Sequence, residues 1–166
     1  MSNTLPISLA KTTSPDITWG HHEVLGDYHH SRKYGQWVCL RRLPSGKGFR
    51  IISKNRSAPT EEEATLWKGI DARINEFVEL AKAAIIDPGI DGWNVPMDRS
   101  IFSLSQIDLF APDGFDMAFH DDHFCEDNCL WPVVRFRNWQ IAESLWEPCY
   151  VAPTHAGLAV PNGRPR

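Results

Sequence analysis

No stretch of this 166-residue chain approaches the ~20 consecutive apolar residues that a membrane-spanning helix needs. Its first residues, MSNTLPISLAKTT, lack the charged start and apolar core of a secretory leader. A cytoplasmic protein without a membrane partner is expected. Cysteine is scarce: Cys39, Cys125, Cys129 and Cys149 are the four present, and outside an oxidising compartment they are expected as thiols. Catalytic signatures are missing as well. There is no G-x-S-x-G elbow, His21-His22-Glu23 lacks the H-E-x-x-H spacing that sets two ligands on one helical face, and no D-x-[DN]-x-[DN]-G calcium loop occurs. Neither Gly46-Lys47-Gly48 nor Asn162-Gly163-Arg164 forms a phosphate loop, so no cofactor is expected.

Two absences are regional. From Tyr28 to Thr60 there is no acid among Arg32, Lys33, Arg41, Arg42, Lys47, Arg50, Lys54 and Arg56. From Ser100 to Val134 there is no Lys or Arg among Asp108, Asp113, Asp116, Asp121, Asp122, Glu126 and Asp127. Blocks of this kind are usually solvated faces or mutual partners in the fold. The functional alternative is a surface that steers an oppositely charged macromolecule. The basic block, with Tyr34, Trp37 and Phe49 available for stacking, suits nucleic acid, but a net charge of −4 argues against that partner.

What is present suffices for one packed domain. An apolar fraction of 42% with seven Trp and eight Phe supplies one core, expected over residues 1–150, and the Pro/Gly-rich stretch 151–166 reads as a tail. Thr60 with Glu63 forms a capping box. Trp67, Ile70, Ile74, Phe77, Val78, Ala81 and Ile85 recur at spacings of three and four, which predicts one long amphipathic helix over about 60–86. Residues 17–25 read as a strand and 26–32 as a turn. GQWVCLRRL and FRIISK flank a PSGKG turn as a hairpin. In IFSLSQIDLF, Phe102, Leu104, Gln106, Asp108 and Phe110 alternate against Ile101, Ser103, Ser105, Ile107 and Leu109. After a turn at 111–114, FDMAFH returns with Phe115, Met117 and Phe119 on one face, and WPVVRFRNWQIAESLW makes a further strand pair. The expected fold class is α+β: an antiparallel sheet built from β-hairpins with the long helix packed on it.

The segment FDMAFHDDHFCEDNC, residues 115–129, concentrates the chemistry. His120, His123, Cys125 and Cys129 are the candidate metal ligands, but their crowding into one loop without a second ligand pair is unlike a structural zinc site. Asp121 and Asp122 are adjacent, so on a strand they face opposite ways and are poor candidates for a shared acid/base site unless the loop turns them together. An acidic loop with aromatic flanks better suits binding to a basic protein surface.

The order of these elements carries a resemblance. A helix opening with PTEEE, a connector, and IDLFAPDGFDMAFHDDHFCEDNCLWPVVRFRNWQIAESLW resemble, over residues 59–146, small bacterial α+β domains of uncharacterised or immunity-like type associated with polymorphic toxin loci. The chain departs from them where many carry Trp-x-x-x-His or a Gly-His pair, having Phe124-Cys125-Glu126-Asp127-Asn128 instead. The resemblance implies an immunity or antitoxin-like protein without catalysis of its own that blocks a cognate toxin, here one with a basic domain. The partner-binding residues expected are Asp113, Phe115, Asp116, Asp121, Asp122, Phe124, Glu126, Asp127 and Trp131. Alternatives are a metal-dependent hydrolase built on His120 and His123, or a nucleic-acid-binding or phage-encoded inhibitor protein.

Overall fold

The structure is a computed structural model of the chain that describes residues 2–8, 11, 13–88, 99–121 and 130–148. Among the described residues nine strands form one sheet. The first four-strand meander comprises β2 (Ile17–His22), β3 (Gly26–Ser31), β4 (Gln36–Arg42) and β5 (Gly48–Lys54). Two helices follow, α1 (Glu61–Ala72) and α2 (Ile74–Ala84). The second meander comprises β6 (Phe102–Phe110), β7 (Gly114–Asp121), β8 (Leu130–Arg137) and β9 (Gln140–Pro148). The short β1 (Leu5–Pro6) pairs with the end of β4.

This corrects the expected α+β class in three respects. The fold is dominated by its sheet, with a modest helical part. The sheet is mixed, because β5 and β6 run parallel, with Arg50 beside Gln106 and Ile52 beside Asp108. A strand, a helical crossover and a strand returning to the same sheet give parallel pairing, which no tight turn can make. The single long helix is two helices meeting at Arg73, whose N–H bonds Ile70 O at 3.0 Å, three residues back, in a tighter turn than the α-helix makes. The capping box at Thr60 and Glu63 forms as expected. Residues 26–31, expected as a turn, are β3, and the chain reverses just before them, with Gly26 at φ 83°.

Both helices cover one face of the sheet. Trp37 and Cys39 from β4, Phe49 and Ile51 from β5, Phe115, Met117 and Phe119 from β7, and Val134 and Phe136 from β8 are buried there against Trp67, Ile70, Ile74, Phe77 and Ala81. Phe77 sits at the centre, edge-on to Phe115 and Phe136, which stack at 4.6 Å. A register shift between Leu104 and Gln106 resolves the ambiguous alternation of β6. The extra residue, Ser105, lets Phe102 and Leu104 before it and Ile107 and Leu109 after it all reach the core. It also sends Gln106 and Asp108 to the opposite face, so the strict alternation expected for this strand does not hold.

The β8–β9 turn accounts for a glycine that helix propensity alone disfavours. Asn138 and Trp139 both have positive φ, 49° and 65°, the geometry of a two-residue hairpin turn that non-glycine residues adopt at a cost. Trp139 is held in it because its indole stacks on Phe77 at 6.0 Å and lies over Gly69, where an added Cβ would overlap the ring. Gly69→Ala should therefore destabilise the protein by about 1 kcal/mol, overpacking outweighing a helix-propensity gain of similar size. In a Trp139→Ala background the same change should be stabilising. Denaturant melts of the four proteins in this cycle check the reversal of sign.

Candidate functional site

The face of the sheet turned away from the helices is uncovered among the described residues, and the alternation of β4 through β9 decides what stands on it. Its middle rows are read from the pairing: Ile52, Asp108, Asp116, Arg135 and Glu143 across one row, and Arg50, Gln106, Ala118 and Val133 across the next. The short side chains Ile52, Ala118 and Val133 leave a depression between longer neighbours. The result is a groove of about 440 Å³ with Tyr34, Gln36, Lys54 and Asn55 at one side and Trp131, Glu147 and Pro148 at the other. That size lies in the range of sites that hold a small ligand or a side chain.

An ion pair joins the two charge blocks across this face, and Arg135 and Arg137, which follow the acidic block, make further ion pairs on it. Lys54 Nζ stands 3.6 Å from Asp108 Oδ2. Arg135 donates to Asp116 at 3.3 Å, Glu143 at 2.8 Å and Glu147 at 2.5 Å. Arg137 donates to Asp116 at 2.8 Å. Asp108 and Asp116 are direct cross-strand partners with different surroundings. Two guanidiniums fix the Asp116 carboxylate, whereas burial pushes the Asp108 carboxyl up to about 6, against the lowering influence of Lys54 and of the hydrogen bond from Gln106 Nε2 at 2.6 Å. Asp116 beside it adds a smaller upward push.

The residues expected at the site are distributed unevenly. Asp116 and Trp131 lie on the uncovered face and line the groove. Phe115 does not belong to a binding surface: it is fully buried between Phe77 and Phe136. Asp113 is exposed in the β6–β7 turn, where its carbonyl accepts from Asn138 N at 3.0 Å. Asp121 is the last residue of β7. Asp122, His123, Phe124, Cys125, Glu126, Asp127 and Cys129 lie outside the described residues. His120 packs edge-on to Trp131 at 5.9 Å. Among the described residues no three His, Cys, Asp or Glu side chains converge as a metal site. Cys39 is no nucleophile, since burial pushes its thiol up to about 12. Trp37 and Phe49, proposed as nucleic-acid stacking platforms, are core residues.

Sequence reasoning missed Asp108, Gln106, Lys54, Arg50, Arg135 and Glu147 as members of one site. Folding the β6–β7 hairpin about its turn at 111–113 places Asp108 opposite Asp116, a signal available from the turn alone. Among the described residues no helix is long and apolar enough to cross a membrane. Comparison of the chain with protein-family models, with curated proteins and with solved structures finds no match.

Proposed function

We propose that this protein acts in the cytoplasm as an immunity or antitoxin-like binding protein, without catalysis of its own, and neutralises a toxin that presents a basic surface. The uncovered sheet face with its preformed groove carries this reading. It offers an ion-paired surface with a groove and with Trp131 at its edge, an aromatic of the kind that anchors interfaces. The sequence supports it further: Asp121, Asp122, Glu126 and Asp127 add four carboxylates to the acidic block between the end of β7 and the start of β8.

Complementary charge raises the rate of encounter and is screened by salt. Asp121→Lys with Asp122→Lys is therefore expected to slow association with the toxin about tenfold or more at low ionic strength and to approach the parent rate at high salt. Stopped-flow association measured across a salt series checks this. The function itself is tested by co-expressing the chain with each protein encoded beside its gene and reading growth and co-purification. Restored growth together with a stable complex is expected. Failure to protect against, or to bind, any of them would overturn the proposal.

A further inference from the structure

One carboxylate on the uncovered face is answered incompletely by its neighbours. Asp116 has two guanidiniums, and Glu143 and Glu147 share Arg135. Asp108 is 15% exposed, and among the described residues its paired cation is Lys54 at 3.6 Å, itself 59% exposed. Its one short hydrogen bond comes from Gln106. The other charged groups facing it are Arg50 on β5, in register with Gln106, Asp116 opposite on β7, and Arg135 beyond it on β8. The β6 bulge aims both Gln106 and Asp108 into the groove. Beside them the floor is Ala118 and Val133, and the end is closed by Trp131, whose indole Nε1 has no hydrogen-bond acceptor among the described residues.

We propose that this groove receives one arginine side chain of the protein partner, with Asp108 as its counter-ion and Lys54 as a placeholder that swings out when the arginine enters. The inference rests on the partner-binding function above and names the contact that function turns on. Arginine fits better than lysine for three reasons. Its planar fork can donate to a carboxylate and to the Gln106 amide oxygen together, it is weakly hydrated, and it stacks on an indole. An anion entering the same groove would meet Arg50 and Lys54 but also the carboxylates of Asp108, Asp116 and Glu147. The exposed Lys54 stem loses little by leaving, because a partly solvated ion pair contributes little.

Amide chemical-shift titration of the full chain with N-acetylarginine methylamide, at pH 8 and low salt, tests this, with sodium acetate as the anionic probe. Saturable shifts confined to groove residues are expected with the guanidinium probe and none with acetate. Asp108→Asn and Ala118→Trp should each weaken binding about tenfold or more, the loss of one charge-assisted contact or of the space itself. Lys54→Ala should tighten it roughly twofold to threefold, a gain that a merely structural lysine would not produce. Binding should weaken as pH falls below about 6, where Asp108 takes up its proton. Thermal melts establish that Ala118→Trp folds, and Lys54→Ala, at an exposed side chain, keeps the test decisive if it does not. No shifts with the guanidinium probe, equal affinity in Asp108→Asn, or binding of acetate instead would overturn the inference. A wild-type chain that forms no complex with any neighbouring gene product would instead overturn the function on which it rests.

Discussion

Replacing Asp108 with Asn is expected to stabilise the free protein at neutral and alkaline pH. The folded carboxyl titrates at about 6, while an unperturbed aspartate titrates near 3.9. Between these values the folded chain holds a proton that the unfolded chain has released. The contribution of Asp108 to stability is therefore greatest below about pH 4, falls as pH rises through about 6, and is level above it. A difference of about two pH units at about 1.4 kcal/mol per unit sets an upper limit of about 3 kcal/mol. Asn is close to isosteric and keeps the acceptor for Gln106 Nε2, so Asp108→Asn removes the titration without emptying the site. Urea melts between pH 4 and pH 8 check this: the stability difference between variant and wild type should grow in the variant's favour as pH rises through about 6 and stay level above about pH 7. A carboxylate whose ionisation burial opposes, and which lines an open groove, fits a recognition role better than a structural one.

Replacing Asp71 with Ala should have an effect of similar size and opposite sign. Asp71 lies in the last turn of α1, is 5% exposed, and holds the N-terminal segment through three hydrogen bonds. These come from Ser2 Oγ at 2.5 Å, Asn3 N at 3.1 Å and Thr4 Oγ1 at 2.6 Å. Thr4 is itself buried, so the substitution strands its hydroxyl unless the whole segment lifts off. Either outcome costs on the order of 3 kcal/mol, the range for losing hydrogen bonds to a charged group and leaving a buried donor unmet. Detachment would also undo the two-residue pairing of Leu5 and Pro6 with Arg42 and Arg41. Denaturant melts give the magnitude, and faster hydrogen exchange at residues 2–7 locates it. Asp71→Asn should fall between, because one amide oxygen cannot accept all three donors.

Local patterns carried much of the fold. The capping box at Thr60, the PSGKG hairpin, the faces of β5 and β7, and the pair of strands around Asn138 and Trp139 are all set by short-range rules of turn chemistry and alternation. Three features were not legible from alternation. The parallel join of β5 to β6 pairs residues on either side of the two helices, and only the strand, helix, strand order hints at it. The bulge at Ser105 leaves no mark in a strand whose serines could face either way. The break at Arg73 lies inside an unbroken apolar stripe, where nothing resembling a stop signal occurs.

The candidate site was less legible than the fold, and for a related reason. Charge was visible as two blocks, but a block does not reveal its partners. The parallel join brings Lys54 to Asp108, and the β7–β8 pairing brings Arg135 and Arg137 to Asp116. These contacts turn part of an apparent acidic surface into internal ion pairs. Among the described carboxyls on the uncovered face, Asp108 is the one with the weakest pairing, and burial and register, which composition cannot report, single it out. Phe115 illustrates the converse: an aromatic beside acids looked like an anchor for a partner, yet the pleat points it into the core.

The most direct measurement is a carbon-detected NMR titration of the Asp108 carboxyl, in the free chain and with N-acetylarginine methylamide present. A midpoint near 6 in the free chain that moves down when the guanidinium probe is added is the predicted result, since a cation in the groove favours the charged form. A midpoint near 4 that the probe leaves unchanged would contradict the account.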